Sequence, residues 1–503
     1  MSSASQAVLL SWSVPPAASF ALALTAVVYL RGWFLMRWAR VPFVPAWRAI
    51  CFLLGLITLW VALASPLDTL SSFIITAHML QHMLLMMLAP PLILLGAPLI
   101  PLVRGLPIFA AREFAGSFLN WRPAQRIGSA LTRLPVALIV MGVATFAWHT
   151  PRLYELALSS SSWHELEHAC FFIASLIFWW PVVQPWPSQP QAPRWAIVPY
   201  LLIADLLNTT LSAILVFADR VLYPSYAAMP RLFGFSALHD QAASGAIMWV
   251  MGSMAFLVPA VIIAVQCLSG KTVVLKFQPI QRADNSPINW LARLFSLVPG
   301  GIRRRFGARK LEAITFVVLF TVAGLCLAAL ASRDSDDDNQ VLRMRGTSGP
   351  FAIAVFAAPG ELPAGSNTVA VLVQDRNTQE ALQDAGVDMF AQQKDGAQPT
   401  WVARASAEDS ENKFLQSADI ELPSEGNWSL SVRVKRGLDT AEWTLPLQVV
   451  KADSGFALPW AYITFLVLAV VLGLAFLGHH RAGRAMAARD FTAVILGGNK
   501  PLT

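Results

Sequence analysis

The segment 72–100 carries the residues best suited to chemistry. It is largely apolar, yet it contains two histidines four positions apart, His78 and His82. The segment is long enough to cross a bilayer as a helix, and that spacing puts both imidazoles on one face of the helix. Polar side chains are costly in hydrocarbon unless they meet a partner. The pair therefore indicates a functional site, or two histidines that hydrogen-bond to neighbouring helices.

Methionines in the same segment bear on which metal such a site would hold. Met83 and Met86 lie close to the histidine pair, as do Met79 and Met87. Imidazole and thioether groups without a cysteine or a carboxylate cage suit copper better than magnesium or calcium. Methionine also commonly fills gaps between helices, so packing is the alternative role for these side chains.

The composition defines the class of protein. Of 503 residues, 56% are hydrophobic and only 13% are charged, which is typical of a polytopic membrane protein. The net charge of +7 comes from Lys and Arg scattered through short loops, a pattern that orients membrane proteins and does not suggest nucleic-acid binding. The four cysteines lie in apolar segments without metal-binding spacings, so we interpret them as packing residues.

Nine apolar windows predict nine membrane spans. They cover residues 16–36, 49–66, 72–100, 134–149, 164–183, 196–218, 241–268, 312–332 and 457–478. Basic residues are concentrated after the first, third and seventh windows, so the positive-inside rule places the N-terminus outside and the tail, 479–503, in the cytoplasm. We therefore expect a multi-pass protein of a bacterial plasma (inner) membrane, with a basic cytoplasmic linker at 271–311.

The stretch between the last two windows has a different pattern. Residues 333–456 contain short alternating segments such as NTVAVLVQD and NWSLSVRVKR, separated by Gly, Pro and Asn. This pattern is typical of an immunoglobulin-like, all-β sandwich, which the topology places in the periplasm. It contains no His or Cys, which favours partner docking over a metal site. The predicted fold class is an all-α polytopic membrane bundle of about seven spans in residues 1–270, plus two further spans that flank the sandwich.

With this topology, most of the histidines fall near the outer ends of the third, fourth, fifth and seventh spans. These are His78, His82, His149, His164, His168 and His239. Histidines that only filled core positions should occur at both faces, so we interpret them as a shared metal site. Three acidic residues, Asp240, Glu165 and Glu167, adjoin these histidines and could accept hydrogen bonds that orient the rings, or could cap helix starts.

Three other functions fit parts of the pattern. Residues 164–168 read HELEH, the HExxH pattern of zinc metalloproteases, in which His164 and His168 would hold zinc and Glu165 would activate water. Histidines on facing spans could instead ligate haem, as in b-type cytochromes. A transporter that moves copper across the bilayer would need ligands on both sides. Deeper in the spans the sequence offers only Asp205, Asn208, Met86 and Met87.

Four segments carry a family resemblance. HMLQHMLLMMLAPPLILLGAP (78–98), WHTPRLYELAL (148–158), HELEHACFFIASLIFWWPV (164–182) and HDQAASGAIMWVMG (239–252) resemble the CtaG family of the caa3 type. That family comprises membrane proteins needed for assembly of haem-copper cytochrome c oxidase, and the resemblance covers roughly residues 15–270. It implies a non-enzymatic accessory factor that acts in copper supply to oxidase subunits, with the six histidines as motif positions.

The remainder of the chain is loosely similar to membrane-anchored FixH and YtkA-like domains. These domains are linked to oxidase assembly and copper handling, so the similarity implies a domain that contacts the recipient oxidase or a soluble periplasmic copper chaperone. The sequence therefore predicts a copper-binding oxidase assembly factor, with zinc and haem as the alternative ligands.

Overall fold

The computed structural model describes residues 3–38, 45–106, 122–185, 188, 191–269, 341–357, 362–394, 401–408, 410 and 412–451. The linker predicted at 271–311, the spans predicted at 312–332 and 457–478, and the tail at 479–503 lie outside these residues. The strands described below lie inside the predicted β domain, 333–456.

The first part of the chain is helical. Its α-helices are Ser3–Leu10, Pro16–Trp38, Ala46–Ala64, Pro66–Ser71, Ile75–Met83, Ala89–Leu95, Leu99–Gly105, Arg122–Leu131, Leu134–Trp148, Pro151–Ser159, Ser161–Val183, Ile197–Phe217, Pro224–Ala228 and Ala237–Leu268. A π-helical turn, Leu84–Leu88, and a 3₁₀ turn, Arg194–Ala196, complete the set.

Six helices in the described residues are long and apolar enough to cross a membrane, as the sequence predicted. We number them span 1 (Pro16–Trp38), span 2 (Ala46–Ala64), span 3 (Ile75–Leu95), span 5 (Ser162–Val183), span 6 (Arg194–Phe217) and span 7 (Ala237–Leu268). Span 4 is a pair of helices, Leu134–Trp148 and Pro151–Ser159, whose axes differ by 70°. If this bent pair is counted as one span, it is the seventh. Pro151 accounts for the position of the bend, because it cannot continue the first helix, which ends at Trp148, and instead begins a new one.

The outer surface of this helical part is apolar. Side chains of Ile139, Val143, Leu206 and Val261 are each more than 60% exposed. Exposed apolar surface of this extent is unfavourable in water and suits contact with lipid. The helical part is therefore a membrane bundle.

Span 3 departs from regular α-helix geometry because of its prolines. Pro90 has no N–H to donate to the carbonyl of Met86, four residues earlier. The chain adapts through the π-helical turn, in which the Ala89 N–H donates to the Leu84 carbonyl. The freed Met86 carbonyl accepts hydrogen bonds from the Ser175 hydroxyl and, at 3.1 Å, from the Trp179 indole of span 5. These bonds fix span 3 against span 5.

Spans 6 and 7 approach each other closely at a glycine. The Asn208 amide of span 6 donates to the Met248 carbonyl of span 7 at 3.2 Å. A Cβ at Gly252 would lie 2.4 Å from the Asn208 amide nitrogen, so only glycine leaves space for this bond. Deeper polar residues thus join the two spans, as Asp205 also does by accepting from the Ser253 hydroxyl at 2.6 Å.

The second part of the chain is a β-sandwich, as predicted. Its strands are β1 (Val341–Ser348), β2 (Phe351–Ala357), β3 (Leu362–Pro363), β4 (Gly365–Asp375), β5 (Gly386–Gln393), β6 (Trp401–Ala405), β7 (Gln416–Leu422), β8 (Gly426–Arg436) and β9 (Asp439–Val450). One sheet has the order β1-β2-β4-β7 and the other β3-β9-β8-β5-β6. Alternate residues of both sheets, such as Val371 and Val432, are fully buried in a shared core.

The sandwich contacts the end of the helical bundle at which the histidines lie. Phe356 of β2 packs against Phe73 just before span 3, with ring centroids 5.6 Å apart. The Gln374 amide donates to the Arg231 carbonyl at 2.8 Å, and the Lys413 N–H donates to the Ser11 hydroxyl at 3.1 Å. The β domain therefore covers part of this end of the bundle.

Candidate metal centre

Spans 3 and 5 bring two histidine pairs together. His78 lies beside His164 and His82 beside His168, with ring centroids 5.2 and 5.5 Å apart. Each pair is spaced by four residues, which puts both rings of a pair on one face of its helix. The two spans run in the same direction here, so the first histidine of one pair lies opposite the first of the other, and the second opposite the second.

Glu167 lies within this set and is completely buried. Its Oε2 is 3.8 Å from His78 Nε2 and 3.9 Å from His82 Nε2. Together with His164, these residues offer four ligand atoms that all lie within 4.8 Å of one another. Ligand atoms about 2.1 Å from a tetrahedral ion lie about 3.4 Å apart. Small side-chain movements would therefore close the four atoms around one metal ion.

Two further histidines extend the centre. His149 and His168 are 6% and 9% exposed. The His149 ring, at the end of the first helix of span 4, lies 6.3 Å from that of His82, and the His168 ring lies 4.2 Å from that of His164. Five of the six predicted histidines thus form one cluster with Glu167, in which His164 is partly exposed and the other four are buried.

Most ring nitrogens and the carboxylate of this cluster have no hydrogen-bond partner within the protein. The buried atoms without one are Nε2 of His78, His82, His149, His164 and His168, Nδ1 of His82, and both carboxylate oxygens of Glu167. An unsatisfied buried polar group costs about 1–3 kcal/mol. Eight such atoms in one place are not expected of a packing core. They are expected where the groups bind an ion.

A tyrosine outside the spans orients the His78 ring. The Tyr226 hydroxyl donates to the Ser71 carbonyl at 2.5 Å and lies 3.2 Å from His78 Nδ1. Burial raises the pKa of Tyr226 well above its usual value, so the hydroxyl keeps its proton. Since that proton goes to Ser71, the hydroxyl oxygen accepts from His78 Nδ1–H. The His78 Nε2 lone pair is then left facing Glu167.

His149 is held by a similar contact. Its Nδ1 lies 2.7 Å from the Thr145 carbonyl oxygen, which can only accept. Nδ1 therefore carries a proton, and Nε2 is the nitrogen left without a hydrogen-bond partner. In the neutral form of both rings, Nε2 is then the nitrogen that can bind a metal.

The other predicted site residues lie elsewhere. His239 is exposed and lines a separate pocket with Phe73 and Arg231. Asp240 accepts from the backbone N–H groups of Ile75 and Thr76 at 2.9 and 3.1 Å, so it caps the start of span 3, one of the two roles that the sequence left open.

The two acidic residues of the HELEH segment have different environments. Glu165 is exposed, whereas Glu167 is buried among the histidines. In the protease interpretation Glu165 would contact a metal-bound water, but the acid that lies at the histidines is Glu167. The spacing explains this, since Glu167 lies three residues after His164 and shares its helix face, while Glu165 does not.

Sequence reasoning missed the aromatic wall of the centre. Tyr154 stacks on Tyr223 at 4.0 Å and lies 5.1 Å from the His78 ring. Burial also raises the pKa of Tyr223. Tyr154 was within a motif that the sequence singled out, but nothing local marked Tyr223 or Tyr226, which lie in a short connection between spans 6 and 7.

The comparison with protein families gives the class of this helical part. Residues 27–269 match the model of the cytochrome c oxidase caa3 assembly factor family (Caa3_CtaG). This region of the chain therefore belongs to that family, as the sequence motifs implied. The match ends before the β-sandwich, whose similarity to FixH and YtkA-like domains stays a prediction.

Curated relatives share only part of the chain. An uncharacterised protein of Mycobacterium bovis is 26% identical over 190 residues, which cover 37% of this chain and 28% of that protein. An uncharacterised protein of Mycobacterium leprae is 24% identical over 216 residues, which cover 41% of this chain and 32% of that protein. The aligned region thus spans less than a third of these relatives. No solved structure matches the chain.

Proposed function

We propose that the buried histidine cluster with Glu167 binds copper and supports its delivery to cytochrome c oxidase during assembly. The observation that carries this proposal is the convergence of eight unpartnered polar atoms at one point between spans 3, 4 and 5. Assembly factors of this family serve an oxidase that contains copper, and imidazole with a carboxylate is a suitable ligand set for it.

The geometry argues against the haem alternative. A haem iron takes its two axial nitrogens from opposite sides of a wide macrocycle. Here four ligand atoms, from His78, His82, His164 and Glu167, lie within 4.8 Å of one another, which is two more than the axial ligands that a haem iron takes. A single ion fits this spacing, and zinc is the alternative metal.

The location of the centre supports a role in transfer. By the positive-inside rule the histidine end of the bundle faces the periplasm. The β-sandwich contacts the same end, through Phe356 and Gln374. In our proposal the sandwich meets the recipient oxidase subunit or a soluble periplasmic copper chaperone.

The test is metal content and visible absorption of the purified full-length protein, beside a variant with His78→Ala and His82→Ala. We expect copper in the parent protein and its loss from the variant, since the variant lacks two ligands. A variant with His239→Ala is the matched control, because His239 is exposed and lies in another pocket. Bound zinc in place of copper, or copper that the double variant retains, would contradict the proposal.

A further inference from the structure

Methionines from three spans line one cavity at the deeper side of the histidine centre. They are Met83, Met86, Met87, Met141 and Met248. All five are buried. Met83 to Met87 follow His82 along span 3, and Met141 precedes His149 by two helical turns, or about 12 Å. The methionines therefore lie farther from the histidine end of the bundle than the histidines do.

The turn Leu84–Leu88 aims two of these side chains. Its π-helical geometry, forced by Pro90, places Met86 and Met87 on the same cavity as Met83. The Met86 carbonyl is fixed by Ser175 and Trp179. Turns of this type occur frequently at functional sites, where the extra residue redirects side chains.

The cavity itself is unexpected if these methionines only pack. Methionine is flexible enough to close irregular gaps, which is its usual role in a core. Five such side chains nevertheless leave an open volume of about 30 Å³, whose lining they share with nine other residues, among them Thr145, His149 and Asn208. This volume exceeds the minimum that one water molecule occupies, so it is large enough for one small dehydrated ion.

His149 connects the cavity to the histidine centre. Its ring lies 6.3 Å from that of His82 and also lines the methionine cavity. Its Nδ1 is bonded to the Thr145 carbonyl, and its Nε2 is buried without a partner. A nitrogen ligand is therefore available where the two groups of side chains meet.

We propose that the methionine cavity is a second metal site, which binds a soft monovalent cation, copper(I), through thioether sulfurs. Thioethers select copper(I) over zinc and over hard divalent ions, whereas the histidine centre with Glu167 suits divalent copper or zinc. Copper(I) would reach this cavity by way of His149, with no change of oxidation state. This inference rests on the proposed function for its biological role, but not for its chemistry.

The test is silver(I) binding, since silver(I) is a redox-inert analogue of copper(I). The purified full-length protein would be dialysed against silver(I), and bound metal counted for the parent, for Met141→Leu with Met248→Leu, and for Met254→Leu. Leucine replaces methionine with little change of volume, so the fold should persist. Met254 is the matched control because it is on span 7 but is 62% exposed.

We expect the double variant to lose about one silver ion per chain and the control to lose none. Copper(II) binding, measured on the same samples, checks that the histidine centre is intact in the double variant. Silver binding that is unchanged in the double variant, or absent from the parent, would overturn the inference.

A separate result distinguishes the two proposals. The His78→Ala, His82→Ala protein should lose copper(II) and keep the silver ion that depends on Met141 and Met248. If it keeps copper(II) as well, the proposed function fails while the methionine site stands.

Discussion

Two buried carboxylates on neighbouring spans have opposite surroundings. Asp240, at the start of span 7, accepts hydrogen bonds from the Ile75 and Thr76 N–H groups and, at 2.6 Å, from the Thr76 hydroxyl. Glu167, on span 5, accepts none, and its oxygens face histidine nitrogens that also lack partners. Both oxygens of the Asp240 carboxylate accept hydrogen bonds from the protein, whereas neither oxygen of the Glu167 carboxylate does.

The difference separates structural from functional polar residues. A buried acid whose hydrogen bonds are complete stabilises the fold, and here it joins spans 3 and 7. A buried acid left without donors lowers stability and is kept for another reason, of which ion binding is the simplest. Both acids lie beside histidines in the sequence, so only their partners tell them apart.

We expect the greatest change in stability when the Asp240 carboxylate is removed. In Asp240→Ala one buried and one half-buried N–H group of span 3 lose their acceptor, so we expect the free energy of unfolding to fall by about 2–4 kcal/mol. Denaturant or thermal unfolding in detergent would measure it. Asp240→Asn keeps one acceptor oxygen and should lose less. Unchanged stability in both variants would contradict the structural role that we assign to Asp240.

Glu167→Gln should have the reverse signature. The metal-free protein loses no hydrogen bond and an unpartnered buried carboxylate is removed, so its stability should not fall, while metal affinity should fall by about tenfold or more. Isothermal titration with copper(II) and unfolding of the metal-free protein check the two halves. Glu165→Gln is the matched control, since its side chain is exposed on the same helix and should alter neither quantity.

A control outcome also bears on the protease alternative. A metalloprotease would lose its activity in Glu165→Gln while keeping its metal, because that residue would be its general base. A copper centre built from the histidines and Glu167 should be indifferent to the change.

We expect the smallest change in stability for an exposed carboxylate that accepts its hydrogen bonds from nearby backbone N–H groups. Asp375, at the end of β4, accepts from the N–H groups of Asn377 and Thr378 at 2.8 and 3.0 Å. The Thr378 and Asn377 N–H groups lower its pKa. Its contribution is therefore present above the ordinary pKa of aspartate and is lost as the pH falls through the lowered value. In thermal unfolding, Asp375→Ala should be slightly less stable at neutral pH, and this difference should vanish in acid. A difference that grew in acid would contradict this assignment.

The sequence predicted much of the fold because its signals are local. Apolar length located the six long spans, and alternation located the β-sandwich. It could not foresee the 70° bend of span 4 or the π-helical turn of span 3, although Pro151 and Pro90 mark both places. A proline shows where a helix must change, but the packing of neighbouring spans decides how it changes.

For the candidate site, the sequence identified residue types and the tertiary structure selected among them. Spacing by four residues was enough to put His78 with His82, and His164 with His168, on shared helix faces. It could not tell that Glu167 faces the histidines while Glu165 is exposed, that His239 lies apart, or that Tyr226 orients His78. Those outcomes depend on how the spans are rotated and packed, because partners from distant parts of the chain determine whether a buried polar atom is satisfied or left free to bind an ion.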